Sequence, residues 1–268
     1  MLIFSIVIAG IALVTLYGYP MLLQQQTSAD EKIMEKNMIV LQNDIKSLAY
    51  KTVPYKETSL KIGGGSLTVY NSSPDSLKST FEIDADSTGT TSYLPAPYNN
   101  GGFHPGELRY ESVSAQTDIS LQNGAVLLRP RVQKGSTVLA EPRWFFDAST
   151  NTMVINLIEI TSTNIMAKEG IGTVQMELAG GPYYKEIFID YNDYINIIYT
   201  TPVNTPDYSV AWDNYIWNTW NIPQSYKTNK VGTSGTPGTI TYTLKNKDPG
   251  SRQMDLVIKI FKVNIKSI

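Results

Sequence analysis

The sequence predicts an α+β protein: a long N-terminal helix, apolar and then amphipathic, followed by a β-rich, sandwich-like head with one short aromatic helix. Three observations predict it. Residues 1–23 carry no charge, the first charged residue being Asp30. Beyond them Met34, Met38, Leu41, Ile45 and Leu48 recur at spacings of four and three, the period of one helical face. From residue 54 onward, short apolar or alternating runs are separated by Gly-, Pro- and Asn-rich clusters, the pattern of strands and turns.

The apolar run, as a helix, spans roughly 35 Å at about 1.5 Å per residue, enough to cross a bilayer core of about 30 Å. A secretory signal peptide fits it poorly. It has no basic n-region, it is longer than a usual h-region, and no small-residue cleavage site follows. A simple membrane anchor fits well. The helix does not stop at the water boundary, however. Lys32, Glu35, Lys36, Gln42, Asn43 and Lys46 occupy the faces away from the apolar stripe, so the second half reads as a solvated helix lying against a folded head. Val53-Pro54 ends it, because a residue before proline avoids helical angles. The expected division is 1–53, a membrane or filament-core helix, and 54–268, an extracellular β-rich head.

Within the apolar half, Ile3, Phe4, Ile6, Val7, Ile11, Leu13, Val14 and Leu16 supply an unbroken apolar surface, and Gly10 and Ala12 permit close helix approach. Ser5 and Thr15 can bond back to the helix. "LYGYP" then interrupts it. Pro20 lacks an amide hydrogen and clashes with the carbonyl of Leu16, and Gly18 eases the distortion. A modest kink is expected at residues 17–20, with Tyr17 and Tyr19 suited to a membrane interface.

In the head, residues 59–62 and 66–70 flank "GGG" and predict a hairpin. Further strands are predicted at 79–85, 108–113, 125–132, 153–160, 173–178, 195–200, 239–244 and 256–265. "DYSVAWDNYIWNTW" predicts the one helix, with Tyr208, Trp212, Tyr215, Ile216 and Trp220 on one face and Asp207 or Ser209 as its cap. Those rings either pack the helix onto a sheet or form a platform for a sugar or a neighbour. Trp217 lies off that face and is the candidate for an exposed contact.

Composition excludes much chemistry. The chain of 268 residues has no cysteine and one histidine, His104, so disulfides, thiolate nucleophiles, Cys-ligated metals and two-imidazole mechanisms are ruled out. A net charge of −2 without a basic surplus gives no footprint for nucleic acid. "KIGGGSLTV" lacks the Gly-Lys-Ser/Thr ending of a phosphate loop. Glu107 and Glu111 form a possible carboxylate pair, and His104 stands alone in a Gly- and Pro-rich loop. A non-enzymatic protein without a resident cofactor is expected. Two modest sites remain: "DADSTG" spaces Asp84, Asp86 and Thr88 as oxygen donors for calcium, although the residue where a calcium hand needs its last acid is Pro95. The simpler reading of the same stretch is a polar loop after a strand. Asn71-Ser72-Ser73 is an N-glycosylation sequon, followed by Pro74.

The two-part helix, "LIFSIVIAGIALVTLYGYPMLLQQQ" through "NMIVLQNDIKSLAY", and the strand-rich remainder resemble the type IV pilin superfamily, including archaeal pilins and archaellins. "GELRYESVS", "LQNGAVLL" and "INLIEITSTN" resemble the heads of an archaeal pilin-like group. The resemblance implies a structural subunit, major or minor, of a cell-surface filament. Copies of the chain would associate through the apolar helix and sit in the membrane before assembly. The family is made with a short basic leader removed by a prepilin-type peptidase, so the resemblance implies a processed chain or one that begins inside the helix. The acidic residue that bacterial pilins carry near the mature N-terminus is missing. The other expectation is a monomeric membrane-anchored exoprotein whose head binds an envelope component or carbohydrate.

Overall fold

A computed structural model describes residues 2–51, 53–72, 79–85, 91–201, 206–232 and 238–268. One helical rod opens the chain: α1 (Leu2–Leu13), a π-helical turn (Val14–Gly18) and α2 (Tyr19–Lys51). Among the described residues the head contains thirteen strands: β1 (Tyr55–Tyr70), β2 (Thr80–Asp84), β3 (Glu107–Ser112), β4 (Thr117–Gln122), β5 (Ala125–Pro130), β6 (Thr137–Ala140), β7 (Phe145–Asp147), β8 (Thr152–Ser162), β9 (Met166–Ile189), β10 (Tyr194–Thr201), β11 (Lys227–Gly232), β12 (Gly238–Lys245) and β13 (Met254–Ser267). The short helix α3 (Ser209–Asp213) runs on into a second π-helical stretch, Asn214–Thr219.

The strands form a nine-stranded sheet ordered β6-β5-β4-β3-β1-β9-β13-β8-β7 and a four-stranded sheet ordered β11-β12-β10-β2. The chain is therefore an α+β protein of the predicted kind. Two apolar cores lie on opposite faces of the large sheet. On one face, Met34, Met38, Leu41, Ile45 and Leu48 of α2 pack on Leu60, Ile62, Leu67, Val174 and Val263. On the other, Met153, Ile155, Leu157, Leu256 and Ile258 pack on the small sheet and on Trp212 and Tyr215. The alternation of β13 explains the split: its even residues Leu256, Ile258 and Ile260 enter the second core, and Phe261, Val263 and Ile265 enter the first.

Four sequence expectations need correction. The "GGG" segment is not a hairpin. Residues 55–62 and 67–69 belong to one strand, β1, and both pair with β9 across a register shift. The glycines form a bulge there because the backbone is crowded. A Cβ on Gly65 would lie 2.2 Å from the Glu111 carbonyl oxygen, and one on Gly63 would lie 2.5 Å from the Asp30 carboxylate of α2. The predicted strand 173–178 is one quarter of the 24-residue β9. Strands β4, β6, β7 and β11 were not expected, yet Asn123 (φ 48°) and Gly124 (φ 71°) form the tight turn that joins β4 to β5. Finally, Gln42 is not on a solvated face. It is 1% exposed, and its Nε2 donates to the carbonyls of Gly124 (2.7 Å) and Glu141 (3.0 Å). Beside it, Lys46 Nζ donates to the Glu141 carbonyl at 3.0 Å. A polar residue next to the apolar stripe thus ties the helix to the β4–β5 turn and to the segment after β6.

Candidate functional site

The feature with the largest physical consequence is the N-terminal rod. Ile3, Phe4, Ile6, Val7, Ile11, Leu13, Val14 and Leu16 are all exposed, between 52% and 79%. Fourteen large apolar side chains between Ile3 and Leu23 stand exposed. Burying a side chain of this size is worth about 1.5–3 kcal/mol. Leaving the set in water forgoes roughly 20–40 kcal/mol, more than the usual 5–15 kcal/mol stability of a whole domain. The segment therefore requires lipid or protein around it, and the helix is long and apolar enough to cross a membrane. A Cβ on Gly10 would meet nothing within 4 Å, so packing within the chain does not require that glycine.

The helix geometry changes at Val14–Gly18, as a π turn that begins three residues before the kink expected at residues 17–20. Tyr19 N–H donates to the Val14 carbonyl, closing a five-residue π turn. Gly18 is the last residue of that turn, and Pro20 is the second residue of the α-helix that resumes after it. The wider turn accommodates a residue that brings no N–H and crowds the carbonyl four positions before it. Thr15 Oγ1 donates to the Ile11 carbonyl at 2.8 Å, so this hydroxyl is satisfied within the helix. Tyr17 and Tyr19 are exposed at the same level.

The head sites differ from one another. Tyr208, Trp212, Tyr215, Ile216 and Trp220 are buried in the second core, so their function there is packing. Asp207 Oδ1 accepts the Ser209 N–H at 2.8 Å at the start of α3. Trp217 is half-buried rather than free-standing. Its ring lies 6.1 Å from that of Tyr242 and 6.0 Å from the ammonium groups of both Lys227 and Lys230. Lys227 also donates to the Trp217 carbonyl at 2.6 Å, and Lys230 pairs with Asp213 at 3.0 Å. That cage holds one face of the indole in place.

Asp84 ends β2, buried, with a backbone bridge to Ser92. Asp86 and Thr88, the other two donors of the calcium expectation, lie outside the described residues. Among the described residues no group of three His, Cys, Asp or Glu side chains is placed to hold a metal. Asn71 is half-buried and its Nδ2 donates to the Ser162 carbonyl at 3.1 Å; Ser73 of the sequon lies outside the described residues. His104 is half-buried, with Nδ1 3.4 Å from Thr80 Oγ1.

Glu107 and Glu111 do not face each other across a cleft. Both engage Arg109, at 3.3 and 3.2 Å, on one face of β3. Next to them Asp118 of β4 pairs with Arg129 at 3.4 Å and with Arg131 at 2.5 Å. Burial pushes the Glu107 carboxyl above its usual range, against the pull of Arg109 and the Ser120 hydroxyl. This is a sheet-face ion network whose members are used up on one another.

Residues 1–182 match a family described as a family of unknown function, DUF7289. The match spans the rod and the head as far as Pro182 in β9, more than half of the chain, and the chain belongs to this family. No curated protein and no solved structure matches it.

Proposed function

We propose that this DUF7289 member is a non-enzymatic structural subunit, major or minor, of a pilus-like surface filament of the archaeal type. In this reading copies associate through the apolar helix, and the β-rich heads lie outside. The observation that carries it is the continuity of the rod. An exposed apolar surface too large to remain in water runs without a linker into a helix whose C-terminal half is built into the head. A flexible tether would suffice for a simple anchor. A rigid rod supports the filament reading because it fixes each head at a set distance and rotation from a helical bundle. The π turn supports it as well, since it lets proline reside in the rod without breaking it.

Before assembly the helix resides in the membrane, and after it at the cell surface. The sequon at Asn71 marks the chain as a candidate glycoprotein. The test is immunogold electron microscopy of material sheared from cells. Labelled filaments are expected. Recovery of the chain only as a detergent-extracted monomer would instead favour an anchored exoprotein whose head binds an envelope or carbohydrate ligand, with the caged Trp217 as its first contact to probe.

A further inference from the structure

We infer that the head carries a docking surface for the stalk of a second copy, and that both halves of this contact are present on one chain. This deepens the filament reading and rests on it.

The first half is a second apolar stripe on α2. At about 100° per residue, Leu22, Ala29, Ile33 and Val40 fall within about 20° of a single line along the helix. The residues buried against the sheet, Met34, Met38, Leu41 and Ile45, centre about 130° away around the helix. The stripe faces away from the head: Ile33 is 41% and Val40 46% exposed. Exposed Lys32 and Lys36 flank it, with stems able to cover apolar surface while their ammonium groups reach outward. The stripe continues the exposed apolar segment into the part of the rod that its own head already holds.

The second half is the uncovered part of the large sheet. Helix α2 ends beside Phe261, where Tyr50 packs edge-on at 5.2 Å. Beyond that point Arg143 lies over Tyr50, and the Arg143 carbonyl accepts the Asn156 Nδ2 of β8 at 2.6 Å. Past it the same sheet face continues through β9, β13, β8 and β7 with exposed rings. Phe145 pairs with Val154, Val154 with Val257, and Phe188 with Asp255, so these side chains share that face. Phe188 is 62% and Tyr184 52% exposed. Glu186, which accepts from Tyr184 at 2.6 Å, and Asp255 stand among them, opposite in sign to Lys32 and Lys36, while Lys259 lies on the same face over the Tyr184 ring.

A half-apolar sheet face that carries two acids to one lysine thus faces a half-apolar helix stripe flanked by two lysines. The mode of contact is the one that α2 already uses on the covered half of the same sheet. Because the two halves are different surfaces of one chain, the contact is head-to-tail. Made once per copy, it repeats to a ring or an open filament.

The chain has no cysteine, so introduced thiols report without background. The full-length protein is expressed in its native membrane as Val40→Cys, Phe188→Cys and the double variant, and treated with a short bis-maleimide. A ladder of crosslinked multimers is expected from the double variant and from neither single. Filaments without that ladder would overturn this contact and leave the filament reading standing. Crosslinked species without filaments would support the contact and overturn the filament reading. Neither ladder nor filaments would overturn both. Dimers from Val40→Cys alone would show a symmetric helix–helix contact and also overturn the inference. Lys36→Glu should abolish the ladder in the double-cysteine background, and adding Glu186→Lys should restore it. Failure of the charge swap to restore it, with the variant folded, counts against the pairing.

Discussion

Gln42 offers the sharpest test of how the rod is fastened to the head. The side chain is 1% exposed and donates to the carbonyls of Gly124 at 2.7 Å, Glu141 at 3.0 Å and Ala140 at 3.3 Å. Its two amide hydrogens are thus shared among three acceptors on two separate segments of the head. In Gln42→Leu the volume is nearly kept, so the cavity cost is small. The Gly124 carbonyl loses this donor at a buried site, whereas the Glu141 carbonyl keeps the Lys46 ammonium. A buried acceptor left unpaired costs about 1–3 kcal/mol, and the geometry strands at least one. Gln42→Ala adds a cavity of a few heavy atoms. The expected losses are about 1–3 kcal/mol for Gln42→Leu and about 2–4 kcal/mol for Gln42→Ala. The assay is thermal unfolding of the full chain in detergent micelles, followed by the near-ultraviolet signal of the buried tryptophans. For a domain of this size each kcal/mol moves the midpoint by about 2–4 °C. Ile33→Ala, on the outward face of the same helix, serves as the control and should stay within about 0.5 kcal/mol of the parent. A midpoint for Gln42→Leu indistinguishable from that control would refute the reasoning.

Three other outcomes follow from the same structure. Gly65→Ala should destabilise the head by several kcal/mol, as expected for overpacking against fixed backbone, because its Cβ would overlap the Glu111 carbonyl; urea unfolding measures it, and a neutral variant would show that β1 and β3 can separate there. Pro20→Ala, at an exposed site of the rod, should leave the unfolding midpoint of the head unchanged while changing filament yield or stiffness, read by electron microscopy of sheared material. Arg252 and the backbone N–H groups of Gly250 and Arg252 hold the Asp248 carboxyl down to about 2. Its contribution to stability is full above the usual carboxylate range and is lost as the pH falls toward 2. Asp248→Asn should therefore flatten the acid limb of the midpoint-versus-pH curve, and an unchanged limb would contradict the assignment.

The helix was legible because its signal is redundant. Met34 to Leu48 repeat the period, no proline intervenes before Pro54, and the apolar run before them is uncharged. The aromatic helix was legible for the same reason, since Trp212, Tyr215 and Trp220 fall on one face. The sheet was harder to read. Gly63, Gly64 and Gly65 look like a turn to any local rule, and only the approach of Asp30 and Glu111 shows why a strand needs them. Gly180-Gly181-Pro182 likewise suggests a stop, yet β9 runs through it opposite irregular register in β13. The turn at Asn123-Gly124 was readable and would have revealed β4. Gln42 and the exposed rings of the distal sheet face could not be read, because each depends on which part of the sheet the helix covers. Trp217 was expected to stand exposed, but it packs half-buried against the second core beside Tyr242, and the lysines that cage it come from β11, a strand with no apolar pattern of its own.

The central claim is that the apolar rod is an assembly element and not only an anchor. A cryo-electron microscopy reconstruction of filaments purified from cells tests it most directly. The account predicts an axial bundle of continuous helices corresponding to residues 2–51, widened at Val14–Gly18, with the β-rich heads outside it. A filament whose core is built from other chains, or a helix found only as single copies within lipid, would contradict it.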